Sequence, residues 1–98
     1  MIKSQNFTSY LVHVKCIKDY KVNGNLECKK GKTGFLQIVM GPAPIPYHWN
    51  QATSFDKVEL AQDWVDHVNG DWNEYFVGTL AEVTTTVDFK YKINGSWT

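Results

Sequence analysis

Apolar and polar positions alternate along most of this chain, and in one stretch they recur at helical spacing instead. Between 53 and 70 (TSFDKVELAQDWVDHVNG), Leu60, Ala61, Trp64, Val65 and Val68 fall three and four residues apart and line one face. Asp56 is placed to accept from the free N–H groups of a first turn, and Glu59 three residues on completes a capping box. Phe55 and Leu60 are spaced for a hydrophobic staple, and Asn69-Gly70 supplies a left-handed stop. The pattern predicts an amphipathic helix over about 56–69, with Trp64 anchoring it to a sheet. Lys57, Glu59, Gln62, Asp63, Asp66 and His67 form its other face.

The flanks read as strand. Over 10–18, Tyr10, Val12, Val14 and Cys16 share one face, while His13 and Lys15 take the other. Asn23-Gly24, set between alternating apolar residues, predicts a two-residue hairpin turn. Lys29-Lys30-Gly31-Lys32-Thr33-Gly34 is a second turn before an apolar strand over 35–40, and together these segments predict an antiparallel meander. After the helix, every odd position from 75 to 93 is apolar or threonine, which predicts β structure with odd positions inward. Such a run is too long for one strand of a small domain. Gly78 is a candidate bulge, 79–82 a candidate break, and Asn94-Gly95 ends the strand before a short tail. The fold class is α+β: a four- or five-stranded, mainly antiparallel sheet with one helix on one face, forming a single domain over 1–98.

Between strand and helix, Gly41-Pro42-Ala43-Pro44-Ile45-Pro46 enforces an extended loop that leads into Tyr47, His48 and Trp49. Two readings stand: an exposed aromatic contact site of the kind that dominates interfaces, or a crossover tucking Trp49 over the core edge.

Composition adds charge polarity. The chain is 98 residues long, 43% hydrophobic and of zero net charge. Residues 1–32 hold seven lysines against two acids, and 56–88 hold eight acids against Lys57 alone. With no arginine anywhere, base reading or phosphate clamping by its planar fork loses ground. No apolar run approaches the roughly 20 residues of a membrane span, and the first residues lack the apolar core of a secretory signal; a cytoplasmic location is expected. In a two-residue hairpin Cys28 would face Asp19 and Cys16 would face Gly31, so the thiols are expected off register and free.

Candidate chemistry is sparse. Gly31-Lys32-Thr33 lacks the glycine that a phosphate loop needs at position 26, where Leu26 stands, and a strand follows it rather than a helix. Cys16 and His13, the one local nucleophile–base pair, point to opposite faces of a strand. No catalytic, cofactor or metal set is expected. What remains is surface: the acidic residues Glu59, Asp63 and Asp66, continued by Asp71 and Glu74; the Tyr47–His48–Trp49 loop; and Lys29, Lys30 and Lys32, which with Tyr20 and Phe35 could meet a nucleic-acid backbone. The acidic face and the lysine cluster each also read as ordinary solubilising surface.

Ser54-Phe55-Asp56 followed by Ala61, Trp64 and Val65, after a meander and before a strand, resembles small phage-encoded α+β proteins. Some inhibitors of bacterial CRISPR immunity have this build. The lysine-without-arginine usage and seven asparagines fit an AT-rich genome. The resemblance implies a non-enzymatic inhibitor or modulator of a host protein and carries over no site residue. A non-specific nucleic-acid binder and a structural phage component are the alternatives, and a homodimer through a sheet edge is a further possibility.

Overall fold

The computed structural model describes residues 6–38, 43–86, 91–94 and 96–97. In chain order the elements are β1 (Asn6–Cys16), β2 (Tyr20–Val22), β3 (Asn25–Cys28), β4 (Thr33–Phe35), a 3-10 turn (Trp49–Gln51), α1 (Val58–Asp71), β5 (Phe76–Thr86), β6 (Tyr91–Ile93) and β7 (Ser96–Trp97). The sheet order is β4-β1-β5-β6-β7, antiparallel at every step, with β2 and β3 forming a separate two-stranded ribbon. An α+β architecture with one helix on a mainly antiparallel sheet is what the pattern predicts. The meander is not formed, because the β2–β3 hairpin leaves the sheet and β1 pairs instead with β4 and β5.

β1 and β5 pair without interruption from Asn6↔Thr86 to Cys16↔Phe76, so β5 has neither a bulge at Gly78 nor a break at 79–82. The long alternating run splits later, since β6 folds back on β5 with Thr85↔Tyr91. The expectations for Val87 and Phe89 fall outside the described residues. Ser96–Trp97 form the second arm of a hairpin with β6, with Ile93 opposite Ser96 and Asn94 at φ +51°, while Gly95 and Thr98 lie outside the described residues.

The inward phase of β5 is also reversed where the helix lies. Antiparallel partners share a face, and Val12, Val14 and Cys16 face the helix, so Leu80, Gly78 and Phe76 do too. Val77 is 40% exposed. Alternation alone could not fix the sign, because Ala81 and Val83 are buried as well, on the opposite face with Leu11, Phe35 and Ala52. The sheet thus has a main core under α1 and a smaller cluster behind it.

The helix starts later and ends later than predicted. Phe55 is held extended by a reciprocal pair of hydrogen bonds with Tyr10 (2.8 Å each), so the cap position falls on Lys57, which makes no side-chain cap. Neither the Asp56 capping box nor the staple is formed, and Leu60 is 47% exposed. Ala61, Val65 and Val68 are the buried stripe. Asn69-Gly70 does not stop the helix, which runs to Asp71 with the Trp72 N–H on the Val68 carbonyl (3.1 Å).

Asn69 has another task. Its Nδ2 donates to the Gly78 carbonyl (2.9 Å) and its Oδ1 accepts from the Gly78 N–H (2.8 Å), supplying hydrogen bonds on β5 at a residue where β6 does not pair. Gly78 passes close to the helix, since a Cβ would lie 3.2 Å from the Val68 Cβ and Val68 would have to give by a few tenths of an ångström. Asn69→Ala strips both bonds, and we expect a loss of about 1–3 kcal/mol, read as a lower urea midpoint at unchanged slope.

On the other side of the sheet, β4 is shorter than the strand expected over 35–40. The backbone of Phe35 pairs with Tyr47 (2.8 and 2.9 Å), which covers the β4 edge. Pro44 and Pro46 are buried in this crossover.

Candidate functional site

The outward half of α1 carries four of the acidic candidates. Glu59, Asp63, Asp66 and Asp71 are all exposed, since the 3.6-residue period that buries Ala61, Val65 and Val68 turns them to solvent. Gln62 donates to Asp66 (2.9 Å), and His67 Nδ1 lies 2.9 Å from Asp71 one turn on. This arrangement does not favour the helix itself. Glu59/Asp63 and Asp63/Asp66 are like-charge neighbours, each costing about 0.2–0.5 kcal/mol. Asp71 adds negative charge to the negative end of the helix dipole, where a cation would be stabilising.

Beside these acids the helix is not purely polar. Trp64 is half-buried, meets His67 edge-on (5.5 Å between ring centroids) and borders a groove of about 480 Å³. Trp72, His67 and Asp71 continue that wall, and Leu36, Ile38 and Pro44 from the crossover close the other side. Trp72 is fixed by edge contacts to Tyr20 (5.8 Å) and Phe76 (6.2 Å). Shallower hollows extend up the helix past Asp63 to Glu59 and the exposed Val58. The whole forms a track with aromatic and aliphatic walls and carboxylates along its rim.

Glu74 stands apart from the track. It accepts from Lys18 Nζ at 2.9 Å, and this bond and charge hold the Lys18 ammonium above its usual range. Tyr47 and Trp49 are half-buried and His48 is exposed, bonded to Asn50. The crossover thus lies along the β4 edge instead of projecting, and it reaches the groove through Pro44. Lys29, Lys30 and Lys32 are exposed on a turn closed by the Lys32 N–H to the Lys29 carbonyl (3.1 Å), with Gly31 at φ +97° and β4, not a helix, following. Tyr20 and Phe35, the aromatic neighbours expected to serve these lysines, are engaged elsewhere: Tyr20 packs on Trp72, Tyr75 and Phe76, and Phe35 on His13.

His13 and Cys16 lie on opposite faces of β1, and burial lowers the His13 pKa. Cys16 and Cys28 are free but meet each other, contrary to the off-register expectation. An irregularity between Tyr20 and Lys21 puts Cys28 opposite Tyr20, which turns the Cys28 thiol toward Cys16. Burial and the Cys16 thiol push the Cys28 thiol up to about 11.

Trp72, Leu36, Ile38 and Pro44 are site residues that the sequence reading missed. Trp64, Val68 and Trp72 do recur at spacings of four, but the expected stop at Asn69-Gly70 hid that signal. Among the described residues, no helix is long and apolar enough to cross a membrane. The fold and track define an α+β protein with an acidic, aromatic-walled helix face. Comparison with protein-family models, curated proteins and solved structures finds no match.

Proposed function

We propose that this chain is a small non-enzymatic binding module whose α1 track holds a basic segment of a partner protein. The observation that carries the reading is the juxtaposition of Trp64 and Trp72 with Asp71 along one groove. Indole faces and a carboxylate together suit a lysine or arginine side chain, whose apolar stem covers the wall and whose cation meets the ring and the acid. Glu59 and Asp63 along the hollows, with Asp66 on the exposed helix face beside them, then steer a basic partner and set salt sensitivity. In the setting implied by the resemblance to small phage proteins, the partner is a host protein that the module inhibits or modulates in the cytoplasm.

Capture from bacterial lysates tests this. Immobilised protein should retain a saturable partner that is released by salt and lost on paired Asp63→Lys and Asp66→Lys substitution, which leaves the buried stripe untouched. Trp64→Ala should weaken retention by at least roughly tenfold, while Glu74→Gln should leave it unchanged. Circular dichroism checks that each variant is folded. Finding no partner in several candidate hosts, or equal retention by the charge-reversed variant, overturns the reading.

A further inference from the structure

Cys16 ends β1 and Cys28 ends β3, 12 positions apart, and both are buried (0% and 2% exposed). The Cys16 thiol donates to the Lys18 carbonyl (3.0 Å) and sits 3.7 Å from the Cys28 carbonyl. The chain just beyond Cys28 is clamped to Cys16, through the Gly31 N–H to the Cys16 carbonyl and the Cys16 N–H to the Lys32 carbonyl (2.8 Å each). Two thiols are therefore brought side by side by secondary structure on both flanks. The intervening ribbon has a different character, with residues 21–27 all exposed. Its opening would uncover both thiols while the β1–β5 ladder stays intact.

We infer that Cys16 and Cys28 are a disulfide-forming pair, oxidised in the folded protein by a low-molecular-weight disulfide such as oxidised glutathione, which ties the β2–β3 ribbon covalently to β1. One cysteine gives up its proton and its thiolate attacks glutathione disulfide, forming a mixed disulfide and releasing one glutathione thiolate, which takes up a proton. The second cysteine, likewise deprotonated, attacks the protein sulfur of that mixed disulfide, forms the Cys16–Cys28 bond and releases the second glutathione. The protein loses two protons and two electrons, which together are two hydrogen atoms, and glutathione disulfide gains them. The small thiolate fraction of Cys28 at neutral pH and the need for ribbon opening make the reaction slow. Closing a short loop restricts the unfolded chain, so the oxidised protein is the more stable form. This inference stands independently of the partner-binding reading.

The test incubates the folded chain with oxidised glutathione, quenches with acid and reads intact mass without reductant. The expected product is lighter by two hydrogens and carries no adduct, and its Tm is higher by about 10 °C, reverting with dithiothreitol. Cys16→Ser and Cys28→Ser should each stop at a single glutathione adduct. A wild-type chain that retains an adduct, that loses the two hydrogens only when unfolded in urea, or that has a lowered Tm after oxidation overturns the inference, and the wild-type masses decide this even if a serine variant fails to fold.

Discussion

Replacing Phe76 with alanine should lower the unfolding free energy by about 3–5 kcal/mol, a large share of the roughly 5–15 kcal/mol that a small domain has in total. Phe76 is fully buried at the start of β5, opposite Cys16. Its ring lies 5.6 Å from that of Tyr20 and 6.2 Å from that of Trp72, and its N–H bonds the Trp72 carbonyl (2.9 Å). One side chain thus joins the sheet, the end of α1 and the ribbon. Truncation leaves a cavity bounded by three separate elements, which cannot all move inward together. The companion Val77→Ala should cost less than about 1 kcal/mol, because Val77 is 40% exposed, on the other face. Urea unfolding of the two variants reads the phase of β5 directly. Equal losses, or a larger loss at Val77, would contradict the burial of even positions beneath the helix.

Gly34→Ala should destabilise by about 2–4 kcal/mol, and for a reason unrelated to backbone freedom, since Gly34 has no positive φ. A Cβ there would lie 2.5 Å from the Tyr47 carbonyl oxygen and 2.9 Å from the Pro46 Cβ. The obstacle is mostly backbone, held by the paired hydrogen bonds of Phe35 and Tyr47, so relief requires the crossover to lift off β4. Amide hydrogen exchange at Phe35 and Tyr47 should accelerate more than exchange along the β1–β5 ladder. Uniform acceleration, or none, would refute the role assigned to this contact. Because Pro44 lines the groove beside α1, the same variant should also weaken partner retention.

The two glycines show where sequence reading stops. Asn23-Gly24 announces its turn through local chemistry, and the turn forms with both residues at positive φ. The local signals of Gly34 and Gly78, a turn and a bulge, point away from what the fold uses them for. Each is small because a chain segment remote in sequence passes close by, Tyr47 in one case and Val68 in the other. The candidate site divides in the same way. Glu59, Asp63 and Asp66 were legible as an acidic face because helical periodicity sorts them. The wall that makes a groove beside them comes from Leu36, Ile38 and Pro44, which only folding brings to the helix.

Residue order is enough to specify that one amphipathic helix packs on a mainly antiparallel sheet, that β1 turns Val12, Val14 and Cys16 to one side, and that a hairpin turns at Asn23-Gly24. These follow from periodicity and turn chemistry, which act over a few residues. Long-range packing sets which face of β5 lies under α1, how far α1 runs, and that Asn69 serves Gly78 instead of ending the helix. It also brings Cys16 and Cys28 together. The first three share a reason, since each depends on the β1–β5 pairing and on what packs against it, and the fourth depends on the register shift in the β2–β3 ribbon. An alternating pattern satisfies either face of a sheet until a partner strand fixes the register and a helix covers one side.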